Sequence, residues 1–138
     1  MAKFTGSCQC GDVRYEIDAD PYFAGHCHCR DCQRAGGAGH ITSAGFPPDA
    51  LKVSGAATKY ESKSDSGLTV VRQFCPRCGA RLFMQPIGTG PYIMVTLASL
   101  DDPNAIKPSA HIFMKSAQPW DALDEALPAF PAMPPMPG

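Results

Sequence analysis

Seven cysteines, set out as two pairs and a triplet, constrain this chain more than any other feature of its 138 residues. An odd number cannot be consumed by internal disulfides, and a reducing compartment disfavours disulfides in any case. Thiols one or two residues apart point instead to metal binding. A ligating thiol gives up its proton, so a metal-loaded chain would be more acidic than its formal charge of −1 implies.

The sharpest pair is Cys75-Pro76-Arg77-Cys78-Gly79. Two residues between thiols allow a tight turn that brings both sulfurs to one side, and the glycine admits a positive φ so that backbone N–H groups can face them. This is a zinc knuckle; a thioredoxin-type redox pair would need a βαβ setting that the sequence lacks. A closed tetrahedral site needs four ligands, and Cys8-Gln9-Cys10-Gly11 is the natural second half. Spacing alone also lets Cys8 and Cys10 join the middle cluster, which would leave Cys75 and Cys78 short of partners. The middle cluster is Cys27-His28-Cys29-Arg30-Asp31-Cys32. Three thiolates leave a fourth position for water or substrate, the pattern of a catalytic zinc rather than a structural one. Two alternatives stand beside it: a second structural site closed by His26, His28, His40 or His111, and a redox disulfide between Cys29 and Cys32. Cys32 is expected in the first turn of a short helix, where a thiolate is favoured.

Around these clusters the pattern is mostly β. Short segments rich in β-branched and aromatic residues, bounded by glycine, proline or aspartate, predict strands at Val13–Ile17, Tyr22–His26, His40–Ala44, Leu51–Ser54 and Thr58–Glu61. Four more are predicted at Thr69–Phe74, Arg81–Met84, Tyr92–Thr96 and His111–Met114. Turn signals at 46–49, 64–67 and 88–91 make the connections hairpins rather than crossover helices. Short helices are expected from Arg30 toward Ala35, ended by Gly36-Gly37, and from Trp120 to Leu127. Phe113 and Trp120 read as core, and His111 as a hydrogen-bonded structural histidine. The length suits one domain with its own core, over residues 1–120, and the proline-rich segment 121–138 reads as a loosely held tail. Near-balanced charge gives no nucleic-acid surface. The longest apolar runs fall short of the about 18 residues that span a bilayer, and the first residues lack a secretory signal, so the expected location is cytoplasmic. A homo-oligomer is compatible with the sequence.

Taken together, Gly6-Ser7-Cys8-Gln9-Cys10-Gly11, His26-Cys27-His28-Cys29-Arg30-Asp31-Cys32-Gln33 and Phe74-Cys75-Pro76-Arg77-Cys78-Gly79 closely resemble the glutathione-dependent formaldehyde-activating enzyme family. The likeness continues through Tyr60-Glu61, Arg81-Leu82-Phe83 and His111 to Ser116, covering nearly everything from Lys3 to Trp120. The resemblance implies two antiparallel β-sheets folded over like a tent. It implies two Zn2+ per chain, one structural on Cys8, Cys10, Cys75 and Cys78 and one catalytic on Cys27, Cys29 and Cys32. The activity implied is that of a carbon–sulfur lyase or synthase joining glutathione to formaldehyde, so the expected partners are a small thiol and a small aldehyde. A non-catalytic zinc scaffold or a redox-sensing domain of the same fold is the alternative, because folds are reused. For the proton the reaction needs, His28, Asp31 or solvent are candidates. Arg30 and Arg34 are candidates for holding substrate carboxylates, and Gly36 to Gly39 for a close backbone approach.

Overall fold

The computed structural model describes residues 2–64, 67–88 and 90–134. Ten strands form two sheets, with a single α-helix among the described residues. The first sheet has β1 (Phe4–Ser7), β2 (Arg14–Ile17) and β5 (Leu51–Ser54), in the order β1-β2-β5. The second contains β3 (Phe23–Cys27), β4 (Ile41–Phe46), β6 (Thr58–Lys63), β7 (Thr69–Phe74), β8 (Arg81–Pro86), β9 (Ile93–Thr96) and β10 (His111–Ile112). Its order is β10-β3-β4-β9-β8-β7-β6. Pairing is antiparallel throughout except between β10 and β3, which run parallel with His111 opposite His26. Neither sheet closes on itself.

The core lies where the sheets face each other. In β2 the alternation is strict: Tyr15 and Ile17 are buried while Arg14 and Glu16 are exposed, as period-2 geometry demands of a half-buried strand. Opposite them lie Phe46, Leu82 and Val95, each fully buried. Tyr15 meets Phe83 edge-on at 5.2 Å, a favoured ring geometry. The strand missed in sequence, β1, carries Thr5-Gly6-Ser7, residues with little strand preference. Packing places it: a Cβ at Gly6 would sit 2.3 Å from the Tyr15 ring and 2.5 Å from the Ser99 carbonyl oxygen, so only glycine fits.

Three sequence expectations need correction. No helix forms from Trp120 to Leu127; the segment is a series of turns. Trp120 is 68% exposed, not core, and Phe113 is only half-buried with a positive φ of 57°. Residues 121–134 are not loosely held. The His111 N–H donates to the Pro128 carbonyl at 2.8 Å, and the Phe130 N–H returns a bond to the His111 carbonyl at 2.8 Å. His111 thereby bridges in parallel to Ala129, extending the sheet beyond β10. The expected turns at 64–67 and 88–91, and the end of the proline-rich segment, fall partly outside the described residues.

Deleting residues 121–138 removes these bonds from β10. At about 0.5–1.5 kcal/mol net for each bond lost, the truncated chain should lose about 2 kcal/mol or more of stability, read as a lower urea midpoint. An unchanged midpoint would show that the segment contributes nothing to the fold.

Candidate metal centres

Two hairpin loops, one from each sheet, build the four-cysteine cluster. Between β1 and β2 the chain turns through Cys8 and Cys10, closed by the Cys8 N–H on the Val13 carbonyl at 2.9 Å and by Gly11 at φ 84°. Between β7 and β8 it turns through Cys75 and Cys78, closed by the Gly79 N–H on the Cys75 carbonyl at 2.8 Å, with Gly79 at φ 78°. The two glycines supply the left-handed turns that β-carbon sterics deny to most residues. All four sulfurs lie within 4.8 Å of one another, with Cys8 and Cys10 at 3.6 Å and Cys10 and Cys75 at 3.7 Å. A tetrahedron with metal–sulfur bonds of about 2.3 Å has edges of about 3.8 Å, so these spacings fit a single zinc ion. Backbone N–H groups face the sulfurs, from Val13 to Cys8 at 3.3 Å and from Arg77 and Cys78 to Cys75 at 3.4 and 3.5 Å. Hydrogen bonds of this kind favour thiolate. The Ala80 N–H, foremost, brings the Cys78 thiol down to about 6.

The three-cysteine cluster sits at the junction of β3 and helix α1 (Arg30–Gly36). Cys27 ends β3. Cys29 is the helix N-cap, its sulfur accepting the Cys32 N–H at 3.3 Å, and Cys32 lies buried in the first turn. Gly37 ends the helix at φ 70° with its N–H on the Gln33 carbonyl. The three sulfurs share a 4.8 Å neighbourhood which, among the described residues, no histidine or carboxylate joins. Hydrogen bonding to Cys27 and Cys32 holds Cys29 down at about 2, whereas the same bonds, together with burial, push Cys27 far up. Cys32 rises to about 11, the lowering effect of Cys27 being outweighed by Cys29 and by burial. Without a cation the cluster therefore stabilises one thiolate at the expense of its neighbours. Three thiolates together require a positive ion among them, and the donor set suits zinc.

Cys27 and Cys32 open onto a cavity of about 280 Å³ between the second sheet and the chain around Phe113. Phe23, Ile41, Met84, Met94 and Phe113 give it apolar walls; Ser43, Thr96 and Ser109 add hydroxyls. Its charged groups are Arg72 and Arg81, to which sequence reading gave no role in a site. The Arg72 Nη2 reaches the Cys32 sulfur at 3.8 Å, while the Arg81 Nε donates to the Ala35 carbonyl at 2.8 Å and its guanidinium stacks on Phe74. Both arginines lie on strands distant in sequence from the cysteine triplet, so only the β7–β8 pairing could have revealed them. Arg30 and Arg34 are exposed and do not line the cavity, nor does any part of the Gly36–Gly39 run. Gln33 is a further residue whose part was missed. Its Nε2 donates to the His28 carbonyl at 2.8 Å and the Ser116 carbonyl at 2.9 Å, and its Oε1 accepts from Arg30 and Gln118. The cysteine-bearing turn is thus clamped to the segment after β10.

The four histidines gather away from the cavity. His28, fully buried, and His111, nearly so, hydrogen-bond through Nε2 and Nδ1 at 3.1 Å. His40 Nδ1 donates to Asp121 Oδ2 at 2.6 Å, and His26 Nδ1 pairs with Thr42 Oγ1 at 2.7 Å. Burial, then repulsion from His40 and His111, lowers His28 below its ordinary value; burial and His40 lower His26 to about 4. The sequence alternative in which a histidine completes the three-cysteine site is not what forms. Neither His28 nor Asp31 lines the cavity, which leaves both poorly placed to pass a proton there.

The sequence profile of the glutathione-dependent formaldehyde-activating enzyme family matches residues 3–116. The chain belongs to that family. A crystal structure of a Rhodobacter sphaeroides protein superimposes with a TM-score of 0.59 at 26% identity, over 75% of this chain and 91% of that one. No curated protein matches the sequence. Among the described residues no helix is long and apolar enough to cross a membrane.

If the four-cysteine cluster staples the sheets, Cys75→Ala should yield protein that aggregates or lacks a cooperative melt, since metal binding here is folding energy. A soluble Cys75→Ala variant with wild-type circular dichroism and an unchanged melting midpoint would refute the staple.

Proposed function

We propose that this family member is a zinc-dependent carbon–sulfur lyase or synthase that adds a glutathione-like thiol to a small aldehyde such as formaldehyde. Cys27, Cys29 and Cys32 would hold the catalytic zinc, and Cys8, Cys10, Cys75 and Cys78 the structural one. The observation that carries this reading is the contrast between the clusters. Four sulfurs between two hairpins make a closed set, whereas the three-sulfur set at the β3–α1 junction borders a cavity through Cys27 and Cys32. Cys27, Cys29 and Cys32 would hold zinc with one donor fewer than a closed set, and the metal when bound would supply the positive charge that favours the thiolate form of a substrate thiol.

The chain's own residues would do the rest. Apolar walls exclude water around the aldehyde, and confinement beside the sulfur supplies the orientation that a bimolecular reaction in water lacks. Arg72, next to Cys32, faces the cavity where it can pair with a carboxylate of the thiol substrate. The proton that the thiol gives up would end on the developing alkoxide, and with His28 outside the cavity the Ser43 hydroxyl lines the path between them, able to take up one proton as it passes on another.

Mixing glutathione with 13C-formaldehyde and following S-hydroxymethyl adduct formation by NMR tests the assignment. Cys29→Ser should abolish catalysed exchange yet leave the melt cooperative, because serine still caps α1. Full activity in that variant would remove the three-cysteine site from the chemistry. Arg72→Ala should raise KM about tenfold or more for a thiol bearing a carboxylate and leave it near wild type for an uncharged thiol. Equal effects on both thiols would rule out carboxylate recognition by Arg72.

A further inference from the structure

We propose that His28, His40 and Asp121 form a third site, for a divalent first-row transition-metal ion, built from nitrogen and oxygen donors and separate from both cysteine clusters. One ligand atom from each lies within 4.8 Å of the others. Two imidazoles and a carboxylate are a donor set that suits zinc or iron(II) and leaves positions for water.

The hydrogen-bond chain behind the site fixes which nitrogen is available. The His111 Nε2 lies 2.9 Å from the Asp124 carbonyl, which can only accept, so that nitrogen carries the proton and His111 Nδ1 is an acceptor. His28 Nε2, 3.1 Å from His111 Nδ1, must then donate. A neutral His28 is left with a bare lone pair on Nδ1. That atom is buried without a well-formed hydrogen bond and faces Asp121 Oδ2 at 3.4 Å, and the Gly39 backbone also lies against the His28 ring. A nitrogen lone pair and a carboxylate oxygen facing each other away from water repel unless a cation lies between them. The separation is close to the edge of about 3.3–3.4 Å expected when metal–ligand bonds are about 2.0–2.1 Å.

The remaining geometry supports an ion there. His40 Nδ1 points at the same carboxylate oxygen and would exchange its proton for the metal. Asp121 is seated so closely on the chain at Gly39 that a Cβ there would lie 2.4 Å from its carboxyl carbon. The His40 side chain is 25% exposed and that of Asp121 13%, which gives an ion a way in from solvent, while His28 forms the floor. His111 and the Asp124 carbonyl orient His28 from behind, as outer partners of ligating histidines do. A proton on His28 Nδ1, pairing with Asp121, is the competing occupant.

The test uses the full chain with its cysteine clusters saturated by zinc, titrated with Co2+ and followed by equilibrium dialysis and visible absorption. The expected result is one further ion per chain, with ligand-field bands and no thiolate-to-cobalt charge transfer. Asp121→Asn and His40→Gln should each weaken that ion by about tenfold or more. The absence of a further ion would mean that a proton fills the gap and would overturn the proposal. So would a further ion showing thiolate charge transfer, or one bound equally well by both variants. Should Asp121→Asn fail to fold, His40→Gln alters a partly exposed side chain and decides the matter alone.

Discussion

Everything in this fold depends on four sulfurs meeting between two hairpin loops. The three-stranded sheet is small, and its strands are four residues each. Its apolar residues Val13, Tyr15 and Ile17 gain their burial only if the sheet lies over Phe46, Leu82 and Val95. The loop after β1 and the loop after β7 are 65 residues apart in sequence between Cys10 and Cys75. Closing so long a loop is costly in chain entropy, a cost that a metal ion held by the four sulfurs would offset directly. The exposed ion pair of Arg77 with Asp12 crosses the same gap but is worth at most about 1 kcal/mol. The sulfur cluster, more than surface charge, is the contact that joins the two hairpin loops.

Sheet register and the helix N-terminus position the second cluster. Strand β3 lies between β10 and β4, so Cys27 is fixed by sheet register, and Cys29 and Cys32 by the helix that starts at Arg30. Gln33 and the segment after β10 hold the turn from the outside. Strand β7, which contributes Arg72 to the cavity, is also the strand that leads into Cys75. One element therefore serves the closed cluster and borders the open one, a physical route by which a disturbance at the first would reach the second.

Much of this was legible in sequence, because cysteine spacing encodes local geometry. The knuckle at Cys75 and Cys78, the helix beginning at Arg30, and the strands at Leu51–Ser54 and Thr69–Phe74 all rest on neighbours within a few residues. What escaped depends on long-range contacts. Strand β1 is held by its fit against Tyr15 and Ser99, not by propensity. Arg72 and Arg81 reach the cavity through strand pairing, whereas Arg30 and Arg34, adjacent to the cysteines in sequence, point to solvent. The proline-rich end looked unanchored because its composition favours extended polyproline II and chain ends commonly lack anchoring contacts, yet the Pro128 carbonyl accepts from His111 and Phe130 donates in return. The pairing of Asp121 with His40, 81 residues apart, carries no local signal at all.

The central claim is that the seven cysteines make two independent metal sites. Zinc per chain, measured by elemental analysis on protein purified under reducing conditions, tests it most directly when wild type and Cys29→Ser are compared side by side. The account predicts that the variant holds one zinc fewer while its far-ultraviolet circular dichroism and cooperative melt are retained. Equal zinc in the two proteins, or a variant that loses all its metal and its fold together, would contradict it.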